Sequence, residues 1–585
     1  MLSDAIPDKL PAPRSERPGA RSLLRKYAAR LNPRLFFMTL VAIVSIAPAG
    51  YVFSRAVEAS ANIVYWDEFD TALSLVLRLQ DGMTPTAFLG ELFAMNNEHR
   101  MVTSRSLFAL SYALTGSVNF SFVSLMGNAT IVALVILLIA TAGSTVRRLR
   151  MGVVLGFLMF QLEHYENFLW SGSSIDHFQV VLLAGVAVVG LARGTRSGTL
   201  LGGLFAMLAT FTLAHGILAW LVGSLMLAER RRWTELVGWL GLAGLTMLGF
   251  LNGFARNDAH RFAEISWDGI FNIATYWLTL LGAVPALGNT CVAPALGLVL
   301  ITGLTWLGMR GALRREPIAF SLALFAVVAL GLIALGRAAQ SDGVVFSRYM
   351  VLGATAWAMI GFIMLEFFTP AARPLKSLSW VVIALMTFNV AANRAYDAQA
   401  ESWVECRNLA VLRFKQHGVD GLGRFSLHPI PVHSTALLAK AEASGIYRLA
   451  PVCVPRSFPH AKPTSKIVYF VDEMTVNARS VFVRGWAAIP GKASERRTIH
   501  LVLKSEQETY IYTTVTSRRP DVAKDLKQPS ADLSGFTFAL RRDRLPTGDF
   551  QLGILIDGDS ATEYIMTAHR LELIGDGKGS LATED

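Results

Sequence analysis

The sequence predicts a polytopic α-helical membrane protein with about 11 transmembrane helices and a C-terminal extracytoplasmic β-sandwich-like domain. Three observations carry that reading. Of 585 residues, 53% are hydrophobic and only 17% charged, and mean hydropathy is +0.43, so most of these side chains need lipid as a partner. Apolar runs long enough to cross a bilayer recur through the first two thirds of the chain. After Asn393 the composition turns polar, and from Lys466 short alternating segments such as SVFVRGWAAI and TIHLVLKS follow one another between turn residues, as strands do.

Charge sets the orientation. The net charge of +11 lies in short basic blocks between apolar runs, the pattern of the positive-inside rule, which argues against nucleic acid as a partner. Residues 1–34 carry eight Lys/Arg against three Asp/Glu and read as a cytoplasmic N-terminal arm without a cleavable signal pattern. Residues 35–395 read as the transmembrane domain. Within it, amphipathic stretches over 71–115 read as helices in the outer interface. Spans are expected over 35–57, 119–143, 151–162, 178–192, 235–253, 291–309, 317–336, 349–368 and 378–394. Residues 200–227 lie between two basic blocks and read as a pair of shorter helices hinged near His215-Gly216. The apolar stretch 269–287, interrupted by Pro285, is expected to be interfacial or re-entrant, which keeps Arg310–Arg315 inside. An extracytoplasmic linker region (396–465), a β-rich periplasmic domain (466–575) and a disordered tail (576–585) complete the chain. Three cysteines exclude a disulfide scaffold, although Cys406 and Cys453 allow one bridge outside the membrane.

The candidate chemistry lies just outside the first span. The stretch YWDEFD places Asp67, Glu68 and Asp70 against the membrane face, where a carboxylate can act as general base. Tyr65 and Trp66 suit interfacial anchoring or stacking on a sugar or lipid. The stretch MNNEHRMVTSR adds Glu98, His99, Arg100 and Arg105; the Arg100 fork matches phosphate oxygens. Glu163, His164 and Glu166 fall on the same side and, with His99, raise the option of a divalent metal ion as cofactor, with no cofactor certain. His215 is an ionisable group at membrane depth. Arg337, Arg348 and Tyr349 bracket the loop before a later span, well placed for a lipid-linked phosphate.

A first outer loop with acidic residues, interfacial helices after it, many spans and an outer C-terminal domain resemble the GT-C superfamily of membrane glycosyltransferases. WDEFD, NNEHRMVTSR and SRY are similar to stretches of bacterial members. The resemblance implies Asp67 as catalytic base with Glu68 or Asp70 assisting, and Arg348 or Arg337 on the phosphate of a polyprenyl-phosphate sugar donor. The acceptor would be a cell-envelope glycan or lipid, and membrane lipids the surrounding partners. GWAAIP, RRPDV and SGFTFAL resemble a β domain appended to polysaccharide-related glycosyltransferases, through Gly485, Trp486, Arg519, Pro520, Asp521, Gly535 and Phe536. The readings that compete are a flippase or transporter of lipid-linked glycan and an O-antigen-type polymerase or ligase working on diphosphate-linked glycan.

Overall fold

The computed structural model describes residues 33–59, 62–254, 266–339, 343–368, 374–421, 426–449, 455–456, 461–476, 480–492, 497–506, 509–542, 545–557, 562–573 and 579–583. The N-terminal arm up to residue 32 and Cys453 lie outside them.

Within these residues eight stretches of helix are long and apolar enough to cross a membrane: Arg34–Val57, Phe120–Thr141, Ser171–Ala192, Trp233–Leu251, Trp267–Ala286, Pro317–Arg337, Ser347–Phe368 and Leu378–Asn408. The sequence reading expected eleven. The difference lies partly in Thr145–Met159, Arg196–Thr212, Leu218–Glu229 and Ala293–Met309, which have 15, 17, 12 and 17 residues. At about 1.5 Å per residue none of these matches a ~30 Å hydrocarbon core. The break between the second and third falls in the 3-10 turn Ala214–Ile217. Trp267–Ala286 corrects the re-entrant expectation, because it is one continuous helix of 20 residues. Pro285 sits in its last turn, and the Leu281 carbonyl that its missing N–H would leave without a partner accepts from Trp357 Nε1 at 2.8 Å. This helix packs antiparallel on Ala293–Met309 through two glycines. A Cβ on Gly282 would lie 1.9 Å from Ala293 O, and one on Gly297 2.1 Å from Leu278 O.

Burial separates the centre of the bundle from its rim. Ser171–Ala192 is 78% buried inside the protein, against 17% for Trp233–Leu251 and 22% for Arg34–Val57. The basic turns gather at one end. There Arg147 pairs with Glu316 at 2.7 Å, Arg150 with Glu366 at 2.9 Å, and Arg314 with Glu229. The opposite end collects the loops after the first span, residues 160–178, the 3-10 turn and the loop before Ser347.

The C-terminal region belongs to that opposite end. Helix α1 (Pro374–His417) runs for 44 residues, and residue 395 lies within it. Helix α2 (Pro431–Ala443) follows. Tyr447 donates to Asn62 O at 2.7 Å and Val118 N–H donates to Ile446 O at 2.8 Å, lacing this segment to the first loop. Phe69, Val76, Phe108, Phe120, Val411 and Leu438 share one buried cluster with it.

The last region is two sheets packed face to face. The strands are β1 Pro455–Arg456, β2 Lys462–Pro463, β3 Val468–Val476, β4 Ser480–Ala488, β5 Thr498–Lys504 and β6 Thr509–Thr513, then β7 Val515–Ser517, β8 Gly535–Arg541, β9 Gly548–Asp557, β10 Glu563–Leu573 and β11 Gly579–Thr583. One sheet runs β3-β4-β8-β7, and the other β1-β6-β5-β9-β10-β11 with β2 parallel on β10. Alternate residues Val481, Val483, Phe536 and Phe538 of the first meet Leu501, Leu503, Leu552 and Ile554 of the second. β11 pairs with β10 inside the stretch expected to be disordered. The segments GWAAIP, RRPDV and SGFTFAL fit one another here. A Cβ on Gly485 would lie 2.3 Å from Phe470 O and one on Gly535 2.2 Å from Ser517 Oγ, while Arg519 ties Asp472 at 2.6 Å to Asp521 at 2.7 Å. Phe536 is fully buried and Trp486 half-buried.

Candidate functional site

The first loop is built around a buried carboxylate. Glu68 is wholly inaccessible. Its Oε2 accepts from Tyr65 N–H at 2.8 Å, and its Oε1 accepts from Gly172 N–H at 2.6 Å and from the Ser171 hydroxyl. Burial pushes its carboxyl up to about 7, against the pull of these hydrogen bonds. Gly172 leaves room for it, since a Cβ there would meet Glu68 Cγ at 3.2 Å. Tyr65 packs edge-on against Trp170 and Trp403. Arg407, on α1, donates to Leu169 O at 3.0 Å. Glu68 is thus the tie between the first loop and the chain at 171–172.

Asp67 lies beside it, half-buried, and accepts from Asn96 Nδ2 at 3.2 Å. Asn96 opens a tight turn in which Asn96 N–H donates to His99 O at 2.7 Å and His99 N–H donates to Asn96 O at 2.9 Å. Trp66, Asn97 and Met101 all have positive φ (50°, 52° and 51°), half of the six such non-glycine residues among those described. Strain of this kind concentrates where surrounding structure fixes a geometry.

Two arginines of the second motif do other work. Arg100 donates to Phe250 O at 2.6 Å and also to the carbonyls of Phe93 and Asn252, filling the acceptors at the end of Trp233–Leu251. Arg105 donates to Arg100 O at 2.8 Å and to Ala94 O, holding the turn from behind. Both guanidiniums are engaged with backbone carbonyls, not presented to an open phosphate site.

Residues 161–178 are buried throughout except Tyr165, which is half-buried, although their polarity reads as a loop. Glu163, His164 and Glu166 each have a different partner, so the trio with metal-ligand chemistry diverges. Glu163 accepts from Tyr396 OH at 3.2 Å. His164 Nε2 donates to Met159 O at 2.8 Å, and burial takes its imidazole down to about 4. Glu166 pairs with Arg348, accepting its N–H at 2.9 Å and facing its guanidinium at 3.4 Å. That guanidinium also lies 5.7 Å from the Trp66 ring and 5.3 Å from that of Tyr349. Asp67 is near enough to act on it electrostatically.

Beside this assembly is a cavity of about 390 Å³. One end is polar: Glu98, His99, His177, His215, Arg337 and Tyr349. The remaining walls are aliphatic and aromatic, among them Ile217, Met247, Phe250, Leu251, Leu332 and Ile333. Arg337 faces Glu98 at 3.6 Å, His99 Nδ1 accepts from Ala214 N–H at 3.2 Å, and the His177 ring lies 6.3 Å from that of His215. The turn from Asn96 to Arg100 therefore touches Asp67 through one residue and lines the cavity through two others.

Asp70 points elsewhere. Its Oδ1 meets His433 Nε2 at 2.8 Å and its Oδ2 meets His428 Nε2 at 3.7 Å. Burial would raise the Asp70 carboxyl, but the hydrogen bonds from His428 and His433 outweigh it and hold the group below its ordinary value. Among the described residues this is the group of side chains suited to hold a metal ion. Sequence reasoning missed both histidines, along with Asp176, which accepts from Ser104 Oγ at 2.6 Å, and Arg407.

The fold and this site define a polytopic α-helical membrane protein that gathers ionisable groups at one end of its bundle, under a C-terminal β domain. No family model, curated protein or solved structure matches the chain.

Proposed function

We propose that the chain is a GT-C-type membrane glycosyltransferase. It moves a sugar from a polyprenyl-phosphate donor to a cell-envelope glycan or lipid, with inversion, at the periplasmic face of a bacterial inner membrane. The N-terminus and the basic turns would then be cytoplasmic. The observation that carries this reading is the shared turn: Asn96 touches Asp67, and Glu98 and His99 line a cavity with a polar head and an apolar body. Such a shape suits an isoprenoid chain with a phosphate at its end.

In this reading the phosphate sits by Arg337 and Arg348, exchanging with Glu98 for the first of them. Asp67 takes the proton of the acceptor hydroxyl. The acceptor oxygen bonds to the sugar C1 while the bond from C1 to the phosphate oxygen breaks, and its electron pair leaves on the polyprenyl phosphate. Arginine stabilises the charge that develops there. Glu68 is a positioning residue.

The test is sugar transfer in nanodiscs from a panel of polyprenyl-phosphate sugars to lipid extracts, wild type beside Asp67→Asn. Turnover by the wild type and a folded, inactive variant supports both the reaction class and the base. Turnover by both removes Asp67 from its role. Movement of intact lipid-linked glycan without transfer replaces the enzyme with a flippase.

A further inference from the structure

We infer that Asp70, His428 and His433 hold a divalent cation of the zinc type, which clamps the segment after α1 onto the first loop. The ligand atoms of the three side chains lie within 4.8 Å of one another, close enough for one ion to replace the direct contacts between them.

Each ligand is fixed from a separate direction. Asp70 is on a π-helical turn, Phe69–Ser74. The His428 ring packs edge-on against Phe69 at 5.4 Å. The loop carrying His428 is held by Asp420, whose carboxylate accepts from Leu427 N–H at 3.0 Å, His428 N–H at 3.2 Å and Ser434 Oγ at 2.6 Å. His433 stands in the first turn of α2. An incidental surface ion pair needs no such support, whereas metal sites depend on it.

His428 Nδ1 accepts from Ile430 N–H at 3.0 Å and lies 3.2 Å from Ile430 O. A metal at Nε2 needs the ring proton on Nδ1, donated to that carbonyl, so binding would exchange the first contact for the second.

The donor set selects the ion. Two imidazoles and one carboxylate suit zinc with water completing the shell. Calcium and magnesium call for more oxygen donors than one carboxylate supplies. The Asp70 and His433 side chains are each 40% exposed, so water and metal both have access. The ion would join residues 363 positions apart in sequence. The inference is independent of glycosyl transfer, since Asp67 is not one of the ligands.

The experiment measures metal in the full chain, purified in nanodiscs, stripped with chelator and equilibrated with zinc, manganese, calcium or magnesium chloride. Elemental analysis of the wild type is expected to find stoichiometric zinc, and Asp70→Asn and His433→Ala are expected to fall to background. Both variants keep the apolar packing of the loop, and gel filtration checks that they remain folded. Wild-type protein without zinc at micromolar free metal overturns the inference. So does zinc retained by the two variants combined, or a preference for calcium or magnesium.

Discussion

Glu68→Ala is the perturbation that separates holding the site from running it. It removes the acceptor of three donors in a place without solvent: Tyr65 N–H, Gly172 N–H and the Ser171 hydroxyl. A buried donor left without a partner costs about 1–3 kcal/mol. The three sit within one small space that relaxes together, so a total of about 3–5 kcal/mol is expected. Glu68→Gln keeps the shape and one oxygen but turns an N–H toward a donor, for a cost of about 1–3 kcal/mol. Asp67→Asn should leave stability near the wild type, because Asp67 is half-buried and an amide oxygen still accepts from Asn96. Thermal unfolding in nanodiscs, followed by tryptophan fluorescence, ranks the three. The predicted order of melting temperature is wild type with Asp67→Asn, then Glu68→Gln, then Glu68→Ala. A Glu68→Ala protein that melts with the wild type would refute the tie between the loop and residues 171–172.

Burial holds His164 near 4, below the ordinary 6.5, so the folded state binds this proton less readily than the unfolded one. The stability tied to it is complete above about pH 6.5 and is lost as pH falls toward about 4, by about 3 kcal/mol in all. His164→Gln should flatten that limb of a plot of melting temperature against pH. Gly216→Ala would place a Cβ 2.0 Å from Ala209 O. The backbone must then shift, with a fall in stability of about 3 kcal/mol or more, and weaker binding of a polyprenyl phosphate should accompany it as His215 moves. Arg100→Lys loses the fork that reaches several carbonyls, so it should lower the melting temperature while leaving the KM for donor unchanged in the protein that remains folded.

The sequence made the first loop legible because three carboxylates directly after an apolar run have no packing explanation. The turn Asn96–Arg100 was visible as a cluster, but not the division of labour within it. Arg100 looked like a phosphate ligand, and Arg105 like a supporting residue of the site, because their carbonyl partners, at Phe250 and Ala94, are fixed only by tertiary structure. The run from Gln161 to Phe178 looked like a polar loop for the same reason, since Asn128, Asn393 and Tyr396 meet its polar groups from other helices. Asp176 was hidden inside that run. His428 and His433 were hidden differently: they stand far from Asp70 in the chain, in a segment whose composition marks only polarity. HPIPVH was the available signal, two histidines around a proline-rich bend.

Helix α1 gives the molecule a lever arm. At about 1.5 Å per residue its 44 residues reach about 66 Å. It packs on Thr145–Met159 in the bundle and on β4, β7 and β8 of the sandwich. Arg407 couples its course to Leu169, just ahead of the residues that hold Glu68. A tilt of about 5° at the membrane end would swing the far end by about 6 Å. A change of tilt at its membrane end is thereby coupled to the first loop, through Val411 and Phe414, and to the β domain.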